Sequence, residues 1–372
     1  MKLLSQVLST KPADLAPQAA LTLFYHDMLW VGLGLLLIAA AWALRSRSRD
    51  REPPPAAAPV AARRLLAWGL GALWVLDGLL QIQPEMVTNF VNGLLRPLIP
   101  GQPGPLPAAL NLGLRLWAAH PVLANVTAAY TQIAIGMLIL FGGDGRLRRV
   151  ALLASLVWGL VVWIFGEAMG GIFVGGTWLA GTPGSATFYM AGAVLLLLPA
   201  ERWRQGRWLG PFAAAMGGLW FFSAVLQAWP SAGFWTAHGL SGVVATMAQH
   251  PQPVVIAASL HMVARALAGD AVLWNGGMVA AMTALGIAWV CWPRSRYTWI
   301  ATVVWALLTW WAGQDFGVLG GMGTDPNSGP VLILLIATYV SALTGVGRPA
   351  RRAQAQPARA ALPVHTARQR VS

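Results

Sequence analysis

Residues 158–170 read WGLVVWIFGEAMG, an apolar run that ends on one carboxylate, Glu167, set among glycines. The chain writes a similar line at 305–317, WALLTWWAGQDFG, displaced by 147 residues. An apolar run closed by turn-forming glycine marks the end of a buried or membrane-crossing helix. Its recurrence at a fixed spacing predicts an internal repeat.

Composition agrees with the membrane reading. The 372 residues are 57% hydrophobic and only 10% charged, where a soluble domain carries about 25% charged residues. Apolar stretches lie at roughly 21–43, 65–82, 121–141, 149–165, 185–200, 209–228, 271–292, 297–312 and 329–345. The expected fold is therefore an all-α polytopic membrane protein with about nine transmembrane helices. Residues 1–20 lack the apolar region of a signal peptide, so 21–43 is expected to stay as an uncleaved helix. Cys291 is the single cysteine, which excludes an internal disulfide and a cysteine-cluster metal site.

The net charge of +13 sits in short arginine clusters at every second junction between apolar runs. That pattern reads as topology, with a multi-pass chain in a bacterial-type inner membrane, N-terminus outside and C-terminus cytoplasmic. It lacks the basic, aromatic-interleaved surface of a nucleic-acid binder. The partner it implies is the lipid bilayer. Most acids, and every histidine except His365, then fall toward the outer side, where function is expected.

Two further blocks repeat. Trp74, Leu80, Gln81 and Pro84 match Trp220, Leu226, Gln227 and Pro230 at an offset of 146, and VLAN at 122–125 resembles VLWN at 272–275. The expected division is an outward N-terminus with the first helix at 1–52, a Pro- and Ala-rich linker at 53–64 and a four-helix unit at 65–200. A loop at 201–208, a second four-helix unit at 209–345 and a disordered basic tail at 346–372 complete it. Even helix numbers per unit make the repeats parallel in the membrane.

Three segments, LWVLDGLLQIQP at 73–84, TQIAIGMLILFG at 131–142 and WIFGEAMGG at 163–171, resemble the four-helix membrane module of the DoxX-like superfamily. The resemblance covers 65–200 and, more weakly, the second unit. That superfamily includes quinone-linked sulfur oxidation subunits, so the resemblance implies a quinone or an electron-transfer partner.

Polar residues inside apolar runs supply the candidate site. Asp77 and Gln81 share one helical face at i,i+4, and an ionisable residue within a span is a functional candidate by default. Glu167 joins Asp77 as a candidate proton-handling catalytic residue. Gln81, Gln227, Trp163, Trp310 and Asp315 are candidate cofactor contacts, with the tryptophans walling an apolar head group. His26, Asp27, Met28 and His261 have the imidazole and thioether chemistry that suits copper, and Asp325 in GMGTDPNSGP could take another cation, although the turn itself accounts for that sequence. No histidine pair at metal-binding spacing and no phosphate loop is present.

The function expected from these residues is a membrane-embedded accessory or quinone-interacting subunit of a redox system, with redox-protein subunits or a second copy of the chain as partners. Two alternatives remain open: a transporter of a small cation or small acid, and a non-catalytic envelope assembly or scaffold protein. No motif fixes a reaction.

Overall fold

The computed structural model describes residues 17–46, 58–319 and 323–346. Residues 1–16, 47–57, which include the first part of the 53–64 linker, 320–322 and all but the first residue of the 346–372 tail lie outside the described residues.

Among the described residues every element is helical. In chain order the long helices are α1 (Pro17–Ser46), α2 (Ala58–Leu80), α3 (Pro84–Thr88, a short one), α4 (Leu106–Ala119), α5 (Pro121–Phe141), α6 (Arg146–Val161) and α7 (Ser185–Leu197). After the short α8 (Ala200–Arg204) come α9 (Leu209–Ala228), α10 (Ala237–Ala248), α11 (Val254–Gly269), α12 (Ala271–Cys291), α13 (Arg296–Ala312) and α14 (Ser328–Val346). Local chemistry sets the starts. Pro121 opens α5 at its first position, where the missing N–H costs nothing. Asp270 caps α12 by accepting the Leu273 N–H at 3.0 Å.

The expectation of about nine spans is corrected. Among the described residues, four helical segments are long and apolar enough to cross a membrane: Pro121–Phe141, Arg146–Gly166, Leu209–Ala228 and Ala271–Cys291. Apolar composition alone does not set helix length. The apolar run at 185–200 forms only the 13 residues of α7 and stops ahead of Pro199, well short of the roughly 20 residues a bilayer needs. In α2 the apolar run is continuous with Arg63 and Arg64 and contains Asp77.

Packing repeats along the chain. α2 lies along α5, and α9 lies along α12. In the first pair a Cβ added at Gly71 or Gly136 would meet the other glycine's carbonyl oxygen, and in the second a Cβ at Gly217 would approach the Gly286 carbonyl. Small residues at these crossings let the helix backbones touch, the usual way apolar helices gain contact without a hydrophobic driving force. α14 then crosses to pack on α2, with Leu334 seated over Gly69. The two halves are further joined where Trp178 meets Trp220 edge-on at 4.8 Å and donates its indole N–H to Thr309.

The non-repeated segments cover one end of this bundle. α3, a π-helical turn at Phe90–Leu95 and α4 lie between α2 and α5. Residues 254–269 form α11, which pairs with α10 and leaves Val254 and Val255 exposed.

Candidate functional site

The site grows from the stretch that opened the sequence. α6 runs on through a π turn at Val162–Gly166, and the Glu167 N–H closes it on the Val162 carbonyl at 2.9 Å. Ala168, Met169 and Gly170 then take left-handed backbone angles, φ 47°, 58° and 67°. Asp315, Phe316 and Gly317 repeat that turn with φ 49°, 56° and 68°. Two non-glycine residues in succession at positive φ are uncommon and store strain. The reversal delivers the Glu167 side chain to the start of α7.

There Glu167 Oε1 accepts the Ser185 hydroxyl at 2.6 Å and the Ala186 N–H at 3.2 Å. Oε2 has no partner and no solvent access. Gly184 allows this approach: its φ is 102°, and a Cβ there would fall on Oε2.

Beside Glu167 lies a cavity of about 530 Å³ between α2, α5, α6 and α7, under the Phe90–Leu95 turn and α4. Its walls include Trp74, Phe90, Trp117, Trp158 and Phe165. Its polar residues include Asp77, Gln81, Gln132, Glu167, Tyr189 and Asp325. Among the described residues no lysine or arginine lines it. The size and the few polar groups set in apolar walls are those of a small-molecule site.

Asp77 is 2% exposed, and its Oδ1 accepts the Tyr189 hydroxyl at 3.0 Å. Gln81 donates its side-chain N–H to Asn125 Oδ1, and Asn125 Nδ2 returns a bond to the Gln81 carbonyl at 3.0 Å. Gln132 is 5% exposed and its Oε1 has no partner. Asp325 arrives from the other half of the chain, held by the Asn327 N–H on Oδ1 at 2.6 Å and the Thr324 hydroxyl on Oδ2. Gln83 ties its loop down by donating to the Gly323 carbonyl at 3.1 Å.

Glu167 stands one residue beyond the apolar segment Arg146–Gly166. Burial and the charge of Asp325 push its carboxyl up to about 7, against the pull of the hydrogen bonds from Ser185 and Ala186. Burial likewise raises Asp325, opposed by hydrogen bonds from Ser185, Asn327 and Thr324. A carboxyl poised near neutrality can both give and take a proton, which marks functional sites more often than structural ones.

Of the residues singled out in the sequence, Asp77, Gln81, Glu167 and Asp325 meet at this cavity. The others do not. Trp163 donates its indole N–H to the Pro183 carbonyl at 2.8 Å and Trp310 to the Pro326 carbonyl at 2.7 Å, so each pins a turn. Gln227 is 1% exposed and spends its side chain on Asn275 and Thr177. Asp315 pairs with His250 at 3.3 Å; burial raises its carboxyl and His250 pulls it back down. His26 sits between Asp27 and Trp30 on α1, Met28 packs with Phe24, and His261 is exposed on α11. Among the described residues no three of His, Cys, Asp and Glu come together as a metal site.

Tyr189, Ser185 and Gln132 are polar side chains at the cavity to which the sequence assigned no role. Asn125 was visible only as part of the repeated VLAN block. Tyr189 carried the faintest signal, a lone phenol in an otherwise apolar helix.

Set against known proteins, the chain matches no family model, no curated protein and no solved structure.

Proposed function

We propose that this membrane protein binds a lipophilic molecule with a hydrogen-bond-donating head group, of the hydroquinone type, as an accessory subunit of a redox system. The observation that carries the reading is the unpartnered Glu167 Oε2 in an apolar, tryptophan-lined cavity. A buried acceptor without a donor is costly, and a hydroquinone O–H would relieve it. Gln132 Oε1 is a second orphaned acceptor on the same cavity. The aromatic walls offer edge and face contacts to a ring. The chain's part is to hold the head and accept its two protons on the cavity carboxylates, with Glu167 taking one; a partner electron-transfer protein takes the two electrons. The resemblance to the DoxX-like superfamily supports the redox context, and the arginine clusters support a plasma-membrane location with the cavity toward the outer side.

A second reading, a proton-coupled transporter, is favoured by one observation. Three carboxyls converge on the cavity with no lysine or arginine among its described lining residues, two from the first half and Asp325 from the second, so relative movement of the halves would open or close it.

The test is titration of the purified protein in mild detergent with a short-chain benzoquinol, read by tryptophan fluorescence. Saturable binding that weakens by about tenfold or more in Glu167→Gln is expected, the effect of losing one charged hydrogen bond. Absence of binding sinks the quinol reading. Uptake of a small cation or acid by proteoliposomes under a pH gradient would then install the transporter.

A further inference from the structure

The cavity lining is closed at one end and open at the other. Asp77, Ser185 and Tyr189 are buried, whereas Leu116, His120, Leu123, Thr127 and Val161 are exposed. These five lie at the end of α4, the first two turns of α5 and the last turn of α6, so together they mark the mouth.

That mouth lies between two helical segments that are each long and apolar enough to span a membrane, Pro121–Phe141 and Arg146–Gly166. Leu116 is 67% exposed and Leu123 62%. The adjoining outer ridge of α6, with Val150, Leu153, Val157 and Leu160, is apolar and exposed as well. None of the exposed lining residues is Lys, Arg, Asp or Glu; the acids lie deeper. An opening onto water would border an apolar patch of this kind only at a cost, whereas lipid chains suit it. The depth is also informative. At a rise of about 1.5 Å per residue, Leu123 lies roughly 3 Å and Thr127 roughly 9 Å along α5 from its start. The mouth therefore sits near the edge of the hydrocarbon layer, where a polar head can enter without crossing its centre.

We infer that the cavity opens sideways into the bilayer between α5 and α6, and that its ligand is a membrane-dissolved amphiphile whose head reaches the acids while its apolar chain trails out between Leu123 and Val161. This rests on the reading of the cavity as the binding site. It adds a substrate class: a molecule with a chain long enough to be delivered by lipid rather than by water.

The experiment narrows the mouth with Leu123→Trp and Val161→Trp together, in the full chain reconstituted in lipid nanodiscs. Two probes are used, a long-chain isoprenoid benzoquinol dissolved in the lipid and a short-chain benzoquinol added from water. Both positions are exposed, and an unchanged unfolding temperature confirms that the variant is folded. The expected result is a loss of at least about tenfold in long-chain binding with short-chain binding changed by less than about twofold, while Glu167→Gln weakens both. A double variant that leaves both probes unaffected, or weakens them equally, overturns the lateral mouth. If the unaltered protein binds neither probe, the site reading itself fails, and the mouth with it.

Discussion

Glu167 and Gln314 perform the same structural task in the two halves of the chain. Glu167 Oε1 accepts the Ala186 N–H at 3.2 Å, and Gln314 Oε1 accepts the Ser328 N–H at 3.2 Å. Each precedes a run of left-handed residues, four after Glu167 and three after Gln314. A neutral amide therefore suffices to fasten such a turn to the helix that follows it, and the second carboxylate oxygen of Glu167 is surplus to folding. Glu167→Gln is expected to unfold within about 1 kcal/mol of the unaltered protein while losing most of its affinity for a benzoquinol. Thermal unfolding and ligand titration on one preparation decide it. A variant that unfolds early yet still binds would reduce Glu167 to a cap.

The same carboxyl makes stability depend on pH. Glu167 ordinarily titrates at 4.5 and in the folded chain at about 7. Between those values the folded protein holds a proton that the unfolded chain has released. The associated stability is fully present below about 4.5 and is lost as the pH rises through about 7. Asp325, raised by burial, acts in the same direction. The unfolding temperature should fall from about pH 5 to about pH 8, with a shallower fall in Glu167→Gln. Parallel curves for the two proteins would contradict the assignment.

Asp77, Gln81 and Glu167 are legible in the sequence because each interrupts an apolar run, where a polar group has to find a use or a partner. The meeting of Asp325 with them is not legible, because it depends on α14 crossing onto α2 and on Gln83 gripping Gly323, both contacts between residues far apart in the chain. Trp163 and Trp310 show the converse limit. Their recurrence is real, yet it serves the carbonyls of Pro183 and Pro326, a hydrogen bond no spacing rule announces. The span count failed for a local reason, since an apolar run and a helix of spanning length are separate properties, as α7 shows by stopping at Leu197.

Tyr189 is the hydrogen-bond partner that fixes Asp77. Tyr189→Phe removes that donor from a carboxyl 2% exposed, which is expected to cost about 1–3 kcal/mol. Asp77→Asn keeps an oxygen to accept from Tyr189 and removes a buried acid, so it is expected to be neutral or stabilising. Chemical unfolding of the two variants side by side tests the asymmetry. Equal losses would mean that the carboxyl matters to the fold through something other than this bond.

The reciprocal amide pair separates the two halves by function. Gln81 with Asn125 and Gln227 with Asn275 make the same two bonds, side chain to side chain and asparagine back to the glutamine carbonyl, the second of these at 3.0 and 3.3 Å. Only Gln81 borders the cavity; Gln227 is instead closed in by Thr177. Replacing either asparagine by leucine strands a buried glutamine side chain and a carbonyl, at an expected cost of about 1–2 kcal/mol within a helix bundle in lipid. The binding outcomes should then diverge. Asn125→Leu frees Gln81 to turn into the cavity and is expected to alter benzoquinol affinity several-fold, whereas Asn275→Leu, similarly destabilised, should bind as the unaltered protein does. Equal effects on binding would mean that the second half holds a site of its own or that the two halves move as one when ligand enters.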